Sequence, residues 1–464
     1  MLIFFHALVG GARRVMRPSA PPGLLLLALS AALFVPSRHA AAQDPPGAHA
    51  VPSWFWWAAQ WNTIGQGHGS FPAQYFGPNS LRAGAEFDIS AVETLYTGAR
   101  LAPNLDLLFD LESAGGKGIS DALGLAGYTN LDVVRNPDLG PAPYIARFLL
   151  HWSWNLSGGS ETVAPGYLSL ARRQSSRRLE CYLGKFSLVD FFDANSVGSD
   201  SHLQFLNWTV DNDGAYDYAA DTRGYTVGFD LEYHSGPWAA HFAEALMPKV
   251  ANGLALDWNL ARARSENFEL ERDNGRRQGG TLRLLAYLNY ARMGSYAQAL
   301  AAWRAGQASV PDITASRKAG RHKFGFGLNW EQRLPDQVRI FGRAGWNDGH
   351  NESFVYTEAE NTLEFGGDWG GAAWRRPGDK IGLALASNGL GALHRAYLEA
   401  GGLGFLLGDG ALEYRREQIL EAYYTAHVWR GVFVSADAQN IHDPGYNHAR
   451  GPLTVWSGRL HVDF

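Results

Sequence analysis

The stretch from Gly184 to Gly228 concentrates side chains that suit contact with a small polar ligand. It leaves a strand, forms a long loop and returns to a strand at Gly224. Aromatic faces can stack on the apolar faces of sugar rings, and Asp, Asn and Arg can hydrogen-bond hydroxyl groups. The loop supplies the contact candidates Asp193, Asn195, Asn207, Trp208, Asp217, Tyr218 and Asp221. The alternative that stays open is an external loop packed only on itself.

Signatures of catalysis and of metal binding are missing from the sequence. It contains no H-E-x-x-H, no G-x-S-x-G and no Walker loop. Gly115–Gly118 lacks the spacing and the Ser or Thr that phosphate binding requires, and the 15 His residues show no convincing i, i+4 ligand pair. We therefore predict no catalytic residues, no metal site and no cofactor.

Period-two alternation of apolar and polar residues recurs along the chain from Leu81 onward, which predicts β-strands. The clearest hairpin joins strands 95–101 and 105–111 through Ala102, Pro103 and Asn104. Further alternating segments cover residues 81–89, 225–233, 324–330, 338–344, 420–428 and 432–438.

The alternation favours a membrane barrel over a soluble β-sandwich. Its apolar faces carry Ala, Gly and Leu with aromatics toward the strand ends, and its polar faces carry full charges, which a water-filled lumen tolerates. Tight turns also alternate with long polar connections. We predict an all-β, antiparallel transmembrane barrel of about 16 strands (roughly 16–18 from chain length), with long extracellular loops, some folded into the lumen. The charged lumen candidates are Arg82, Glu86, Arg100, Arg223, Asp230 and Arg343.

The last predicted strand ends on an aromatic residue, Phe464. Ser457, Arg459, His461 and Asp463 form its polar face, and its apolar face carries Trp456, Gly458, Leu460, Val462 and Phe464. This pattern looks like the C-terminal signal that outer-membrane assembly machinery recognises. The alternative is an ordinary strand that ends on Phe by chance.

Charge and cysteine content narrow the range of partners. The formal net charge is -5, and residues 1–42 contribute four Arg and no acids, so the remaining chain has a net charge of -9. Such an acidic chain argues against nucleic acid as a partner. Cys181 is the only cysteine, which excludes an intrachain disulfide.

Residues 1–42 have the pattern of a signal peptide, which predicts export from the cytoplasm. Together with the barrel pattern, it predicts location in the cell outer membrane. Arginines precede an apolar run from Leu24 to Val35, and Ala40–Ala42 supplies a cleavage site. We favour Met16 as the true start. The remaining chain divides into a Pro- and aromatic-rich segment, 43–80, and a barrel domain, 81–464. The aromatic cluster at 54–61 is interpreted as an N-terminal plug or a periplasmic turn, with a platform for a ligand as the alternative.

Seven further segments carry a resemblance that covers nearly the whole predicted mature chain in order. They are Gly77–Leu81, Thr94–Leu101, Arg292–Leu300, Arg343–Gly349, Tyr397–Gly410, Glu417–Tyr424 and Asp443–Pro452. With the Gly184–Gly228 stretch, they closely resemble the carbohydrate-selective porin family, the OprB-like porins. The resemblance implies an outer-membrane barrel of about sixteen strands that passes sugars such as glucose by diffusion. One departure is the charged stretch from Asp257 to Gln278, which we interpret as an external loop.

The leading hypothesis is a passive, carbohydrate-selective channel rather than an enzyme. Its expected partners are a mono- or oligosaccharide solute, outer-membrane lipid and lipopolysaccharide, and the barrel-assembly machinery during biogenesis. Two alternatives stay open. One is an outer-membrane enzyme or polysaccharide-processing protein anchored by a barrel, and the other is a soluble secreted β protein that binds sugars.

Overall fold

The described part of the chain forms one closed antiparallel sheet. The computed structural model describes residues 54–134, 139–274 and 279–464, so the predicted signal peptide, 1–42, and Met16 lie outside it. The strands are β1 Phe55–His68, β2 Glu86–Ala102, β3 Leu105–Gly116, β4 Tyr144–Val163, β5 Arg172–Phe186, β6 Thr226–Ser235, β7 Trp238–Leu246, β8 Arg264–Asp273, β9 Gly280–Met293, β10 Lys318–Arg333, β11 Val338–Asn347, β12 Asn361–Gly370, β13 Lys380–Gly389, β14 Glu417–Trp429, β15 Val432–His442 and β16 Leu453–Asp463. They follow chain order around the ring, and β1 pairs with both β2 and β16. The prediction of a sixteen-stranded barrel is confirmed.

Short helices lie in the connections between strands. The described α-helices are α1 Trp208–Asp211, α2 Tyr296–Arg304 and α3 Ala392–Glu399. Single 3-10 turns occur at Ile119–Ala122, Leu188–Asp190, Thr314–Ser316, Pro335–Gln337, Gly371–Trp374 and Pro444–Tyr446. No helix in the described ranges has both the length and the apolar character needed to cross a membrane.

The connections alternate in length around the ring, so the barrel has two different ends. Residues 103–104, 236–237 and 430–431 make tight turns at one end, which we call the short-turn rim. Residues 187–225 and 390–416 are among the connections at the other end, the long-loop rim. At the short-turn rim, Gly431 has φ +64°, and a Cβ there would overlap the backbone oxygen of Asp463. A tight β14–β15 turn therefore requires glycine at this position.

Side chains alternate between the outer wall and the lumen as the sequence predicts. On β16, Trp456 is 64% exposed on the outside, whereas Arg459 and His461 are buried inside. On β14, Leu420 faces outward and Glu421 is buried. Outward apolar and inward polar faces are what a strand needs when lipid covers one side and a polar lumen the other.

The barrel begins earlier than the predicted boundary at residue 81. The segment 43–80 was expected to supply a plug or a turn, but Phe55–His68 is a full strand that closes the ring. Asn62 and Gln66 are buried in the lumen, while Phe55 and Trp57 are exposed on the outer wall near the short-turn rim. The aromatic cluster thus belongs to an outer girdle, where aromatic rings sit at the membrane interface. The predicted strand at 81–89 begins only at Glu86.

The interpretation of residues 257–278 as an external loop is wrong for most of the described part. Arg264–Asp273 is strand β8, while 275–278 lie outside the described residues. Two arginines on the outer face of β8 obscured the alternation in the sequence, because charged residues are not expected on a face that meets lipid. In the structure their guanidinium groups pack on outer aromatic rings. Arg264 lies 4.3 Å from the ring centre of Tyr290, and Arg272 lies 5.4 Å from that of Trp238. Long cationic side chains of this kind are tolerated near a membrane interface.

Candidate functional site

The connection between β5 and β6, residues 187–225, folds into the barrel, and we call it the lumen loop. Most of its residues between 203 and 222 are buried. The polar contacts of its central part go to the inner faces of strands β8 to β15: Asp193 and Tyr216 reach β8, Asn195 reaches β10, and Asn207 reaches β14 and β15. The prediction that a long loop enters the lumen is therefore correct, and the loop covers one half of the wall.

Arg343 on β11 is the main anchor of the lumen loop. Its Nε lies 3.1 Å from Asp193 Oδ1, and its Nη1 donates to the Val210 carbonyl oxygen at 2.8 Å. Its Nη1 also lies 3.4 Å from Glu364 on β12. The guanidinium is buried and contacts all of these groups at once. Its planar shape and several N–H donors allow this, whereas a lysine ammonium group would not.

Asp217 anchors the lumen loop at a second point. Its carboxylate lies 3.2 Å from Nζ of Lys323 on β10 and accepts the backbone N–H groups of Phe354 and Val355 at 2.9 and 2.8 Å. Phe354 and Val355 belong to the connection between β11 and β12. Asp217 therefore connects the lumen loop both to strand β10 of the barrel wall and to the β11–β12 connection at the long-loop rim.

The aromatic residues predicted for sugar contact are part of the packing of the lumen loop. Trp208 stacks on Tyr356 with ring centres 5.7 Å apart, and its Nε1–H donates to the Asn130 carbonyl oxygen. Tyr218 packs on Tyr356 at 4.8 Å. Asn207 caps α1 by accepting the N–H of Thr209. All three predicted residues are buried, so their direct role is to hold the loop.

A second inward segment, residues 119–134, fills the lumen beside β1 and β2. Gln66 on β1 donates to the Thr129 carbonyl oxygen at 2.8 Å, and Asn130 donates to Ser90 on β2 at 2.9 Å. Its backbone also receives the Trp208 contact of the lumen loop. The two inward segments therefore brace each other across the barrel.

The wall formed by β2 to β6 carries a different group of side chains, which we call the wall cluster. It consists of Tyr96, Glu112, Tyr144, Arg147, Tyr167 and Tyr225. Tyr167, in the β4–β5 turn, is 41% exposed, and Tyr96, Glu112 and Tyr144 are partly exposed. Arg147 and Tyr225 are themselves buried, so the solvent-accessible part of the cluster consists of Tyr167, Tyr96, Glu112 and Tyr144.

Arg147 is the cation of the wall cluster. It lies over the rings of Tyr167 and Tyr225, at 4.7 and 5.5 Å from their centres. Its guanidinium also contacts Asp110 at 3.1 Å and Asp190, at the start of the lumen loop, at 2.6 Å. Arg147 is thus fixed in orientation, and of its two neighbouring rings that of Tyr167 remains accessible.

Glu112 links two tyrosines of the wall cluster. It accepts the hydroxyl of Tyr144 at 2.5 Å and that of Tyr225 at 3.1 Å. Burial, together with the Glu112 carboxylate, raises the pKa of the Tyr225 hydroxyl well above its ordinary value, so this hydroxyl remains a donor.

Two of the predicted residues extend the wall cluster toward the long-loop rim. Arg223 lies over the ring of Tyr144, 3.9 Å from its centre. Asp221 accepts the backbone N–H groups of Arg223 and Tyr225 and lies 3.9 Å from Nζ of Lys185. Asp221 therefore shapes the backbone that presents Arg223.

The remaining predicted residues lie apart from the lumen loop anchors and from the wall cluster. Arg82 and Glu86 form a partly exposed ion pair at the long-loop rim, at 2.9 Å. Arg100 pairs with Asp106 at 3.0 Å near the short-turn rim. Asp230 is buried on the β6 wall, away from both groups. The sequence alternation thus found inward positions without showing which of them meet.

The wall cluster itself was mostly missed by sequence reasoning. Tyr96 and Glu112 occupy inward positions of β2 and β3, so aromatic residues on the charged face of a predicted strand are the signal that could have found them. Tyr167 carries no such signal, because the β4–β5 turn brings it inward. Leu170, three residues later, is buried against Gly98 of β2, where a Cβ would collide with it. This close packing holds the β4–β5 turn inside the barrel.

This geometry combines accessible aromatic faces with a partly exposed cation, Arg223, and a partly exposed carboxylate, Glu112. Rings can stack on the apolar faces of a sugar, while Arg223 and Glu112 can exchange hydrogen bonds with its hydroxyls. The cluster is suited to binding a polar solute loosely along its path.

Comparison with known proteins agrees with this architecture. The high-pH structure of Pseudomonas putida OprB superposes with a TM-score of 0.67 at 14% identity, covering 88% of this chain and 94% of that chain. The outer membrane channel DcaP of Acinetobacter baumannii gives a TM-score of 0.50 at 10% identity, over 88% and 97% of the two chains. At these identities the likeness shows the fold. No curated protein matches the chain.

The sequence itself establishes the family. Residues 78–464, far more than half of the chain, match the description "Carbohydrate-selective porin, OprB family". The match runs from the middle of the β1–β2 connection through the last strand. The protein belongs to the OprB family of carbohydrate-selective porins.

Proposed function

We propose that the protein lets sugars diffuse passively across the outer membrane, in contact with the wall cluster. The observation that carries the proposal is the division of the lumen. The lumen loop covers β8–β16, while on the side of β2–β4 Tyr167 is exposed and Tyr96, Glu112 and Tyr144 are partly exposed. Family and fold support an outer-membrane channel for sugars. The direction of transport then follows the sugar gradient, into the periplasm.

Passive flux requires contacts that are selective but weak, because a tightly bound solute would block the path. The exposed ring of Tyr167 and the partly exposed ring of Tyr96, with centres 6.0 Å apart, offer two adjacent stacking surfaces. A sugar that stacks there can exchange hydrogen bonds with the partly exposed Glu112. The proposed solute is therefore a mono- or oligosaccharide, and glucose is the first to test.

Reconstitution of the purified protein into liposomes and planar bilayers tests the proposal. We expect ion conductance, uptake of glucose faster than in protein-free liposomes, and a reversible reduction of the current when sugar is added. A membrane that shows no conductance, or sugar uptake equal to that of empty liposomes, would contradict the channel. Conductance that sugar does not affect would contradict the proposed contact with carbohydrate but not the proposed channel.

Family and fold favour a channel over the two alternatives left by the sequence, a barrel-anchored enzyme and a soluble sugar-binding protein. A hydrolase would have to release reducing ends from an oligosaccharide. Incubation of the purified protein with oligosaccharides, followed by a reducing-sugar assay, separates that activity from transport.

We also propose that the outer wall contacts lipopolysaccharide and that β16 is recognised during barrel assembly. Arg264 lies at the long-loop end of β8 on the outer wall, where its guanidinium can meet lipid phosphates. Phe464 donates its N–H to the Ala59 carbonyl oxygen at 2.8 Å, so the final residue takes part in closing the ring. Deletion of Phe464 should lower the yield of the heat-modifiable folded form in membranes.

A further inference from the structure

A separate group of titratable side chains lines the lumen on β5 to β8, toward the short-turn rim. The strand registers place Glu180 opposite Glu232, Glu232 opposite His241, and His241 opposite Glu269. Three carboxylates and one imidazole therefore share one row across four strands. Like charges directly opposite each other on neighbouring strands are destabilising, so this row calls for a compensating cation.

Asp230 adds a fourth carboxylate to this group and has no compensation. It lies two residues before Glu232 on the same face of β6, is 0% exposed, and neither of its carboxylate oxygens has a hydrogen-bond partner among the described residues. His241 is 8% exposed, and its Nδ1 likewise makes no hydrogen bond in the described part of the chain. Unpartnered buried polar atoms are rare in native proteins, and an absent ion is one of their physical explanations.

The other members of the group already have partners. Glu180 contacts Nε of Arg178 at 2.5 Å and Nε2 of His151 at 3.2 Å. His234 Nε2 lies 2.7 Å from Glu232 Oε2, which leaves Glu232 Oε1 facing His241 Nδ1 at 3.5 Å. The unpaired atoms thus converge on one point between β6 and β7.

We propose that Asp230, Glu232 and His241 bind a Zn²⁺ ion in the lumen wall. One ligand atom from each residue lies within 4.8 Å of the other two. Ligands around tetrahedral zinc are separated by about 3.3 Å, so small side-chain rotations bring all three into range. Two carboxylate oxygens and one imidazole nitrogen are donors that zinc accepts, and a water can fill the fourth position. The ion neutralises carboxylates that otherwise repel one another.

This site could not be found from spacing along the chain. Its ligands stand at positions 230, 232 and 241, on two strands that the turn 236–237 brings side by side. Asp230 and Glu232 are two residues apart on one strand, and His241 lies on the neighbouring strand. The search for i, i+4 pairs looked for ligands on a helix and could not find this arrangement.

Zinc titration of the full-length protein tests the proposal. Protein purified in detergent is stripped with EDTA and titrated with ZnCl₂ by calorimetry, and crystals are measured at the zinc absorption edge. We expect one ion per chain, an anomalous peak between Asp230 and His241, and a higher thermal midpoint with zinc. Asp230→Asn and His241→Gln should each weaken binding by about tenfold or more.

His350→Gln is the matched control, because His350 pairs with Asp348 at 3.1 Å but is exposed at the long-loop rim. It should leave zinc binding unchanged. The rival explanation is a proton shared by Asp230 and Glu232. In that case the stripped protein binds no stoichiometric zinc, Asp230→Asn raises the thermal midpoint equally with and without zinc, and the proposal is overturned. If one variant does not assemble, the unmodified protein still tests the proposal, because the presence or absence of the anomalous peak shows whether zinc binds at this position.

Discussion

The two halves of the lumen use the same residue types for opposite purposes. On β8–β16, Arg343, Asp193 and Trp208 are buried and hold the lumen loop against the wall. On β2–β6, Arg147 and Tyr167 form a similar pairing of cation and ring, but the ring is accessible. An arginine or aromatic residue inside a barrel is therefore structural or functional according to what already covers it.

The difference between the two halves also explains how a long loop can narrow the lumen and stay fixed in place. Desolvating a charged group is costly unless it is paired, and the covered half pairs its charges through the loop. In the accessible half, Glu112 and Arg223 are only partly buried and so remain partly hydrated. In the proposed function, a passing sugar replaces that water at little cost, and the covered half fixes the geometry of the path.

The largest expected effect comes from removing the anchor of the covered half. Arg343→Ala leaves Asp193 and Glu364 buried without their cation, which typically costs about 3–5 kcal/mol of stability. We expect the lumen loop to detach and the single-channel conductance to rise several-fold, with weaker discrimination among solutes. Planar-bilayer recordings measure this change.

Arg147→Lys supplies the corresponding test in the accessible half. It keeps the charge but loses the planar stacking on Tyr167 and Tyr225, so conductance should change little while sugar contact weakens. Equal conductance changes in Arg343→Ala and Arg147→Lys would contradict the division into two halves.

A pH-dependent effect is expected where the covered half meets the long-loop rim. His394 on α3 lies 2.8 Å from Glu360. Although burial alone would lower it, the Glu360 and Glu358 carboxylates raise the pKa of His394 to about 9 from 6.5. The resulting stabilisation, about 3 kcal/mol, is complete below pH 6.5 and is lost as pH rises through about 9.

Limited proteolysis of residues 348–360 and 390–416 between pH 6 and 10 measures this loss. Cleavage should increase toward alkaline pH in the unmodified protein. His394→Gln should be cleaved readily throughout and lose most of the pH dependence, whereas His350→Gln should behave like the unmodified protein. A pH profile that survives in His394→Gln would assign the effect to another group.

A smaller effect is expected from the exposed ring of the wall cluster. Tyr167→Ala removes a stacking surface worth about 1 kcal/mol, so the sugar concentration that half-reduces the current should rise about fivefold. Folding and conductance should be nearly unchanged. Tyr233→Ala on the outer wall is the control. A loss of sugar response in both variants would point to a general change in the barrel.

The smallest effect should come from an exposed ion pair on α3, between Arg395 and Glu399 at 2.7 Å. Both side chains are largely solvent-exposed, so Arg395→Ala should cost about 0.3–0.5 kcal/mol or less and leave conductance unchanged. Thermal unfolding measures the first, and bilayer recording the second. A clear change in conductance would extend the functional wall to the long-loop rim.

Local alternation was sufficient to predict the barrel, because each strand must present apolar residues to lipid and polar residues to the lumen. The hairpin 95–111 and the register of β16 therefore emerged from the sequence. The same rule failed at β8, where Arg264 and Arg272 lie on the outer wall, and at β1, where Trp54–Trp57 obscured the start of a strand.

The site was less predictable, because its contacts join distant parts of the chain. Alternation placed Arg343 in the lumen, but only the fold brings it to Asp193, 150 residues earlier. Tyr167 lies in a turn without strand periodicity, so its approach to Arg147 depends on the tertiary path of the β4–β5 connection. Family resemblance indicated the class of solute but did not locate the wall cluster.

The position of the lumen loop in the sequence has a consequence for how the barrel assembles. The loop follows β5, but its anchors on β8, β10, β11, β14 and β15 all come later in the chain. Contacts of such long separation form late, since a large loop of chain must close before they can be made. The loop therefore cannot adopt its final place until the strands it rests on have been added, and the narrow passage is among the last features of the barrel to exist.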